Sequence, residues 1–297
     1  MTEAPKGFWG RLAAILEMIK FAHTLFALPF ALLAMMVAAR DFEHPGFPGW
    51  RVLVLILFCM VTARNAAMAY NRLADRELDA ANPRTAGRAL PAGMLTPSWV
   101  GFFVLINSLL FITFAALLNP LAGWLSPVAL FVVLLYSHTK RFTPGSHFVL
   151  GLSLAIAPIG AWIAVHGAFG GAPWFLALAV LFWVAGFDII YSCQDTAFDK
   201  QSGLYSLSVT LGEHVALRYS ARLHLLMVLS MLVFAILHHM GWIFYGGLAL
   251  SAWLLIHEHR LVRGGDLNRI DLAFFRVNSV VGVVIFLAGA LDVLLAG

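Results

Sequence analysis

The sequence predicts an all-α membrane protein whose nine transmembrane helices form one bundle, with the N-terminus in the cytoplasm. Composition is the first reason: 61% of the 297 residues are apolar and only 11% are charged, whereas soluble domains carry about a quarter charged residues. The second reason is the length of the apolar runs, which recur close to the ~20 residues that a helix needs to cross a bilayer. Strands of a membrane barrel would instead give alternating segments of about ten residues.

Nine apolar runs define the predicted helices in chain order. Only Asn119 and Pro120 separate the third run from the fourth, so that stretch is the least clearly divided. No linker rich in serine, glycine or proline interrupts the series, and residues 1–297 are therefore expected to form a single domain. The predicted spans are 15–39, 52–70, 98–118, 120–137, 147–167, 173–192, 218–238, 240–257 and 272–295.

The basic residues indicate how the bundle lies in the membrane. Alternate loops fall on opposite sides, and one side collects nearly all Lys and Arg while the other holds only Arg40 and Arg51. Cytoplasmic loops carry an excess of Lys and Arg, so this side is expected to face the cytoplasm from the cell's inner membrane. Membrane lipids are the expected surroundings. Nucleic acid is excluded as a partner, because no basic face lies outside the bilayer.

The loop after the second span carries a stripe of oxygen-bearing side chains. Asn71, Asp75 and Asp79 are spaced four residues apart, so on a continuing helix they drift only about 80° around its axis. Such a stripe predicts one polar face that extends from the membrane into the cytoplasm. The basic residues interleaved with the stripe or following it are Arg72, Arg76, Arg84 and Arg88.

The loop after the sixth span repeats this pattern. Asp188, Tyr191, Asp195 and Asp199 are spaced to share one face of a helix. Asp188 lies where the span is still apolar, and a carboxylate inside the membrane is a candidate functional residue by default. The last three of these residues follow the members of the first stripe at a single offset of 120 residues, which indicates a degenerate internal repeat.

Two such stripes point to a magnesium site that binds a diphosphate. Carboxylate oxygens are hard ligands that suit Mg²⁺ rather than zinc or copper, and Mg²⁺ commonly joins one or two carboxylates to substrate phosphate oxygens. The neighbouring Arg residues, with Lys140, Arg141 and Lys200, would bind the remaining oxygens. The competing interpretation is a solvated face with ordinary ion pairs, which explains one loop more readily than two loops with the same spacing.

At these motifs the sequence resembles the UbiA-type membrane prenyltransferase superfamily. Residues 71–93 look like its first signature and residues 188–199 like its second, and segments 20–30 and 136–144 also fit. Together with the nine-span pattern, the resemblance covers essentially the whole chain. It implies Mg²⁺-dependent ionisation of a polyprenyl diphosphate, followed by attack of an electron-rich aromatic ring on the allylic cation.

The resemblance also implies a role for each motif residue. Asp188 and Tyr191 would orient a small aromatic acid, and Arg141 would bind its carboxylate. Ala197 and Phe198 stand where some members of the family carry acidic residues, which leaves fewer metal ligands in the second motif. The implied ligands of the metal and diphosphate are Asn71, Asp75, Asp79, Asp195 and Asp199. The implied contacts to phosphate oxygens are Lys20, Arg72, Arg88 and Lys140.

Several alternatives remain open at this point. A dihydroxynaphthoate acceptor, for menaquinone, fits Arg141 almost as well as 4-hydroxybenzoate, for ubiquinone. A CDP-alcohol phosphotransferase is the nearest other enzyme, but its Asp-Gly and Ala-Arg pairs within one Asp cluster are missing from this sequence. Outside enzymes, a divalent-cation or organic-anion transporter would place its site near the bilayer midplane, whereas these Asp clusters lie at one membrane face.

Overall fold

The computed structural model describes residues 7–19, 26–41, 46–171, 173–262 and 276–295. All regular structure in this part of the chain is helical. The helices are α1 (Gly7–Met18), α2 (Leu28–Asp41), α3 (Trp50–Ala74), α4 (Arg76–Ala81), α5 (Pro97–Leu118), α6 (Pro120–Thr139), α7 (Ser146–His166), α8 (Pro173–Ser192), α9 (Thr196–Gln201), α10 (Leu207–Leu211), α11 (Glu213–Leu237), α12 (Trp242–Leu261) and α13 (Asn278–Leu295).

Seven helical segments are long and apolar enough to cross a membrane. They are α3, α5, α6, α7, α8 with its continuation to Gln201, α11 and α13, and each coincides with a predicted span. The first predicted span overlaps α2, which is only 14 residues long, about 21 Å at 1.5 Å per residue, against a hydrocarbon core of about 30 Å. The eighth corresponds to α12, which ends in the polar run His257, Glu258, His259 and Arg260. The count of nine spans therefore stays a prediction.

The division between the third and fourth predicted spans follows from local capping. Asn119 ends α5 and also begins α6, where its side-chain Oδ1 accepts a hydrogen bond from the N–H of Ala122 at 2.9 Å. Pro120 occupies the first position of α6, where its missing N–H costs no helical hydrogen bond. These two residues explain why a nearly continuous apolar stretch forms two helices.

The core of the bundle lies around α8, more than half of whose residues are buried. Its neighbours α7 and α11 approach closely because glycines stand at the crossings. A Cβ atom at Gly151 would lie 2.5 Å from the backbone oxygen of Leu181, and one at Gly186 would lie 2.4 Å from the ring of His224. Small residues at helix crossings are the usual means by which membrane helices pack closely.

The crossing of α7 and α8 gives a direct test of this packing. Replacing Gly151 by Ala is expected to lower the free energy of unfolding by about 1–3 kcal/mol, because the obstructing atom belongs to the backbone and cannot rotate away. Thermal unfolding in detergent measures the change. Gly160→Ala in the same helix is the matched control, since a Cβ atom there meets nothing within 4 Å. Equal effects of the two substitutions would contradict the close crossing.

A buried chain of hydrogen bonds joins the C-terminal helices to α8. Trp183 Nε1 donates to Asn278 Oδ1 at 2.6 Å, and Asn278 Nδ2 donates to Glu258 Oε1 at 2.7 Å. In α11, His224 Nδ1 is hydrogen-bonded to His259 Nε2 at 2.9 Å, and His224 Nε2 lies 3.3 Å from Trp183 O. Buried polar groups need such partners, and this chain therefore fixes α8, α11, α12 and α13 relative to one another.

Candidate active site

The two Asp-rich motifs line one cavity. Its volume is about 170 Å³, smaller than the roughly 300–1,000 Å³ of sites that enclose a whole small ligand. This cavity therefore has room for a polar headgroup rather than for a long chain. The residues of the two motifs that line it are Asn71, Arg72, Asp75, Asp79, Asn82, Arg84, Thr85, Arg88, Asp188, Tyr191, Ser192, Asp195 and Asp199.

The first stripe reaches the cavity across a break in the helix. The sequence predicted one continuing helix, but α3 ends at Ala74 and α4 begins at Arg76, with Asp75 between them at φ −94° and ψ 7°. The backbone bonds from Asp75 N–H to Asn71 O (2.9 Å) and from Asp79 N–H to Asp75 O (2.7 Å) persist across the break. The four-residue spacing therefore still places the three side chains on one side, and all three line the cavity.

Asp75 is held by two cations from the segment that follows α6. Its Oδ2 lies 2.7 Å from Lys140 Nζ, and its Oδ1 lies 3.0 Å from Arg141 Nη2. The residue is only 3% exposed. A buried carboxylate needs such compensation, so the first motif and the segment after α6 form one electrostatic unit.

Asp79 has a different environment, because one of its oxygens is bound and the other is not. Arg88 Nη1 donates to Oδ1 at 2.7 Å. Oδ2 is buried and accepts no hydrogen bond within the described part of the chain. A buried carboxylate oxygen without a donor is costly in an isolated protein, and a bound cation would remove that cost.

The second motif is also interrupted rather than a continuous helical face. The helix α8 ends at Ser192, Cys193–Asp195 form a single 3₁₀ turn, and α9 begins at Thr196. The four motif side chains nevertheless all line the cavity. The spacing therefore groups these side chains as expected, although the helix tightens into a 3₁₀ turn between Ser192 and Thr196.

Arg84 connects the two motifs directly. Its Nε donates to Asp195 Oδ1 at 3.0 Å and its Nη2 to Oδ2 at 2.5 Å, while Nη1 donates to the Tyr191 hydroxyl at 3.0 Å. Asn82 Nδ2 adds a bond to Asp195 Oδ1 at 3.3 Å. Burial alone would lower the pKa of Arg84, but the bonds to Asp195 and Tyr191 raise this pKa above its ordinary value. Arg84 therefore stays charged and holds the motifs together.

Arg72 differs from Arg84, Arg88 and Lys140 in the cavity wall, because no ion pair joins it to a carboxylate among the described residues. Its Nε is buried and makes no hydrogen bond among the described residues. Its Nη1 has only a long bond of 3.4 Å to Asn71 Oδ1. A guanidinium with unused donors beside a cavity is ready to receive an anion.

Four residues predicted at the site are placed elsewhere or lie outside the description. Arg76 and Lys200, which were expected to bind phosphate oxygens, are exposed and do not line the cavity. Arg141 is not among the residues that line the cavity. Besides Asp75, it donates to the backbone oxygens of Ala74 at 2.8 Å and Ser137 at 3.2 Å. Lys20 lies outside the described residues.

The structure also adds cavity residues that the motifs did not reveal. The most important is His147, which is bonded to Asp188. The available signal was a histidine at the start of the fifth predicted helix, seven residues after Lys140. The added lining residues are Leu78, Tyr136, Ser137, Ser146, His147, Phe198, Leu204, Tyr205 and Ser206.

The donors at this site fit Mg²⁺ that arrives with a phosphate ligand. Among the described residues, no group of three or more His, Cys, Asp or Glu is arranged to hold a metal ion without such a ligand. Mg²⁺ does not require such a cage, since it usually takes one or two carboxylates and completes its shell with water and substrate phosphates. The unbonded Oδ2 of Asp79 is a ligand of the required type.

Comparison with known proteins agrees with this geometry. The UbiA prenyltransferase family matches residues 27–280. The 4-hydroxybenzoate octaprenyltransferase of Aromatoleum aromaticum is 31% identical over 83% of both chains, and that of Vibrio campbellii is 28% identical over 95% of this chain and 96% of its own.

Solved structures are similar over nearly the whole bundle. A UbiA homolog from Aeropyrum pernix superposes with a TM-score of 0.82 at 33% identity, covering 91% of this chain and 98% of its own. A UbiA homolog from Archaeoglobus fulgidus, bound to GPP and Mg²⁺, has the same fold, with a TM-score of 0.69 at 20% identity over 95% of this chain and 99% of its own. With a family match over most of its length, paired Asp motifs and this helical architecture, the chain belongs to the UbiA prenyltransferase family.

Proposed function

We propose that this protein transfers a polyprenyl group from its diphosphate to the ring of 4-hydroxybenzoate in ubiquinone biosynthesis, with Mg²⁺ as cofactor. One observation carries the proposal: two Asp-rich motifs meet in a single cavity whose wall also presents Arg and Lys side chains. The names of the similar proteins, which are 4-hydroxybenzoate octaprenyltransferases, support the choice of acceptor.

Mg²⁺ and the diphosphate would occupy the region between the motifs. When bound, the metal supplies positive charge that stabilises the departing diphosphate. The residues proposed to hold it are Asn71, Asp75, Asp79, Asp195 and Asp199. Asp75, Asp79 and Asp195 are paired with cations in the substrate-free protein, so binding exchanges part of this internal pairing for contacts to metal and phosphate.

The basic residues of the cavity would bind the phosphate oxygens. Arg72, Arg88 and Lys140 line the cavity, and Lys20 is proposed to join them. Their donors stabilise the negative charge that accumulates as the allylic C–O bond breaks and its electron pair leaves with the diphosphate. The cation that remains must be kept from water, which the surrounding apolar helices achieve.

The aromatic acid would lie at the end of the cavity that contains Asp188 and Tyr191. The ring carbon next to the hydroxyl-bearing carbon attacks the allylic carbon and forms a new C–C bond. The proton on the attacking carbon is then lost, which restores aromaticity. Arg141 is proposed to attract the carboxylate of the acid from outside the cavity lining, where its guanidinium is bonded to Asp75. A charge at this distance favours an acid over a neutral phenol.

The same proposal includes the topology. Nine spans with a cytoplasmic N-terminus put both motifs on the cytoplasmic face of the inner membrane. The distribution of Lys and Arg supports this orientation. Many buried residues in α2 support counting this short helix as part of the bundle core.

The direct test is prenyl transfer in purified membranes with Mg²⁺ and a long-chain polyprenyl diphosphate. We expect product from 4-hydroxybenzoate that falls to background with EDTA and in Asp75→Ala, because Asp75 anchors Lys140 and Arg141 beside the proposed metal. Offering 4-hydroxybenzoate and a dihydroxynaphthoate in competition identifies the acceptor by product mass. Product from the naphthoate alone would replace the proposed acceptor, and absence of product from both acids would overturn the proposed function.

A further inference from the structure

His147 and Asp188 form a pair in the wall of the cavity, and the proposed function gives His147 no role. His147 Nδ1 lies 2.7 Å from Asp188 Oδ2. His147 is 2% exposed, whereas the side chain of Asp188 is 16% exposed, and both residues line the cavity. The imidazole is therefore buried in the cavity wall, and the carboxylate lies between the imidazole and the open part of the cavity.

The hydrogen bonds on both sides of the ring determine which nitrogen carries the proton. The backbone N–H of Leu207 points to His147 Nε2 at 3.4 Å. Since a backbone N–H can only donate, Nε2 must accept and keep its lone pair. In the neutral ring the proton is then on Nδ1, where it is donated to Asp188.

Asp188 differs from Asp75, Asp79 and Asp195 in the type of side chain that it binds. Asp75, Asp79 and Asp195 are each bonded to Lys or Arg. In the described part of the chain, Asp188 is bonded to Nδ1 of His147 rather than to Lys or Arg. Because no Lys or Arg of the described residues binds Asp188, its other oxygen can accept a hydrogen bond from a ligand in the cavity.

We propose that His147 is a positioning residue: its Nδ1–H fixes the Asp188 carboxylate so that the free oxygen accepts the phenol O–H of the aromatic acceptor. This inference rests on the proposed function and deepens it. A hydrogen bond from the phenol to a carboxylate increases electron density on the ring and orients the carbon beside the hydroxyl toward the allylic carbon. His147 does not touch the substrate, and its whole effect passes through Asp188.

The proposal is tested first by kinetics on His147→Leu and His147→Asn in the purified full-length enzyme. The leucine variant is expected to lose about 10- to 100-fold in kcat/KM for the aromatic acid, as expected for a lost hydrogen bond to a charged group. KM for the polyprenyl diphosphate is expected to stay within about twofold. Asn places an amide N–H near the position of Nδ1 and should restore most of the loss. His214→Leu, at an exposed histidine, is the control.

A double-mutant cycle and a spectrum separate positioning from a purely structural role. In an Asp188→Asn background, His147→Leu should have little further effect, because interacting residues are not additive. Equal losses in both backgrounds would overturn the proposal. Nitrogen NMR of histidine-labelled wild-type enzyme, with the signal assigned from His147→Asn, should find the proton on Nδ1, and a proton on Nε2 instead would overturn it. This spectrum needs no substrate. If the wild type is inactive on 4-hydroxybenzoate, the proposed function fails, and the spectrum still shows whether His147 donates from Nδ1 to Asp188.

Discussion

Replacing Asp79 by Asn is expected to reduce prenyl transfer about 1,000-fold, a loss comparable with that expected for Asp75→Ala. The substitution keeps the size of the side chain but removes its negative charge and turns one oxygen into a donor. Asp79 Oδ2 is buried and has no donor within the described residues, so this oxygen is available as a metal ligand. The measurement is the initial rate at saturating polyprenyl diphosphate across a series of Mg²⁺ concentrations.

The Mg²⁺ series distinguishes the proposed role from a loss of folding. If Asp79 holds the metal, the Mg²⁺ concentration for half-maximal activity rises in Asp79→Asn, while a merely unstable protein would keep the wild-type midpoint. Glu77→Gln is the matched control, since Glu77 belongs to the same short helix and is exposed. Wild-type activity and an unchanged Mg²⁺ midpoint in Asp79→Asn would contradict the metal assignment.

Replacing Arg72 by Met is expected to raise KM for the polyprenyl diphosphate about 100-fold, equivalent to about 2.7 kcal/mol of lost interaction. The buried Nε of Arg72 has no acceptor in the described structure, and a diphosphate would supply one. Methionine fills a similar length of the cavity wall without the charge. Substrate titration of the initial rate measures the change.

The same substitution should leave the stability of the substrate-free protein unchanged or raise it. Removing an incompletely paired buried charge is often neutral or stabilising, so the substrate-free Arg72→Met protein should unfold at the wild-type temperature or above it. Arg76→Met is the control, because Arg76 is exposed and its ion pair among the described residues is with the neighbouring Glu77 at 3.2 Å. A variant with reduced stability and unchanged KM would show that Arg72 has a structural role instead.

The substrate-free cavity is largely neutralised by its own side chains. Asp75, Asp79 and Asp195 each bind a cation at 2.5–3.0 Å. Such pairing prevents carboxylates of the two motifs from repelling one another before a metal arrives. It also means that substrate and metal must displace or share these cations, which links binding to a rearrangement of Arg84 and Lys140.

The sequence by itself determined the helical architecture and the membership of the two motifs. The apolar runs placed the central helices within a few residues of their observed limits, because lipid requires every backbone polar group in a span to be bonded within a helix. The spacing of the Asp residues predicted that each motif presents its side chains to one side. The offset of 120 residues indicated that the two motifs repeat one pattern.

Only the tertiary structure decided which side chains are partners. The bond from Arg84 to Asp195 joins residues 111 positions apart, and Arg141 is directed to Asp75 rather than into the cavity. The pairing of His147 with Asp188 likewise depends on the close approach of α7 to α8 at Gly151. Periodicity orders residues around one helix, whereas contacts between helices depend on how the helices cross and how the chain bends at their ends.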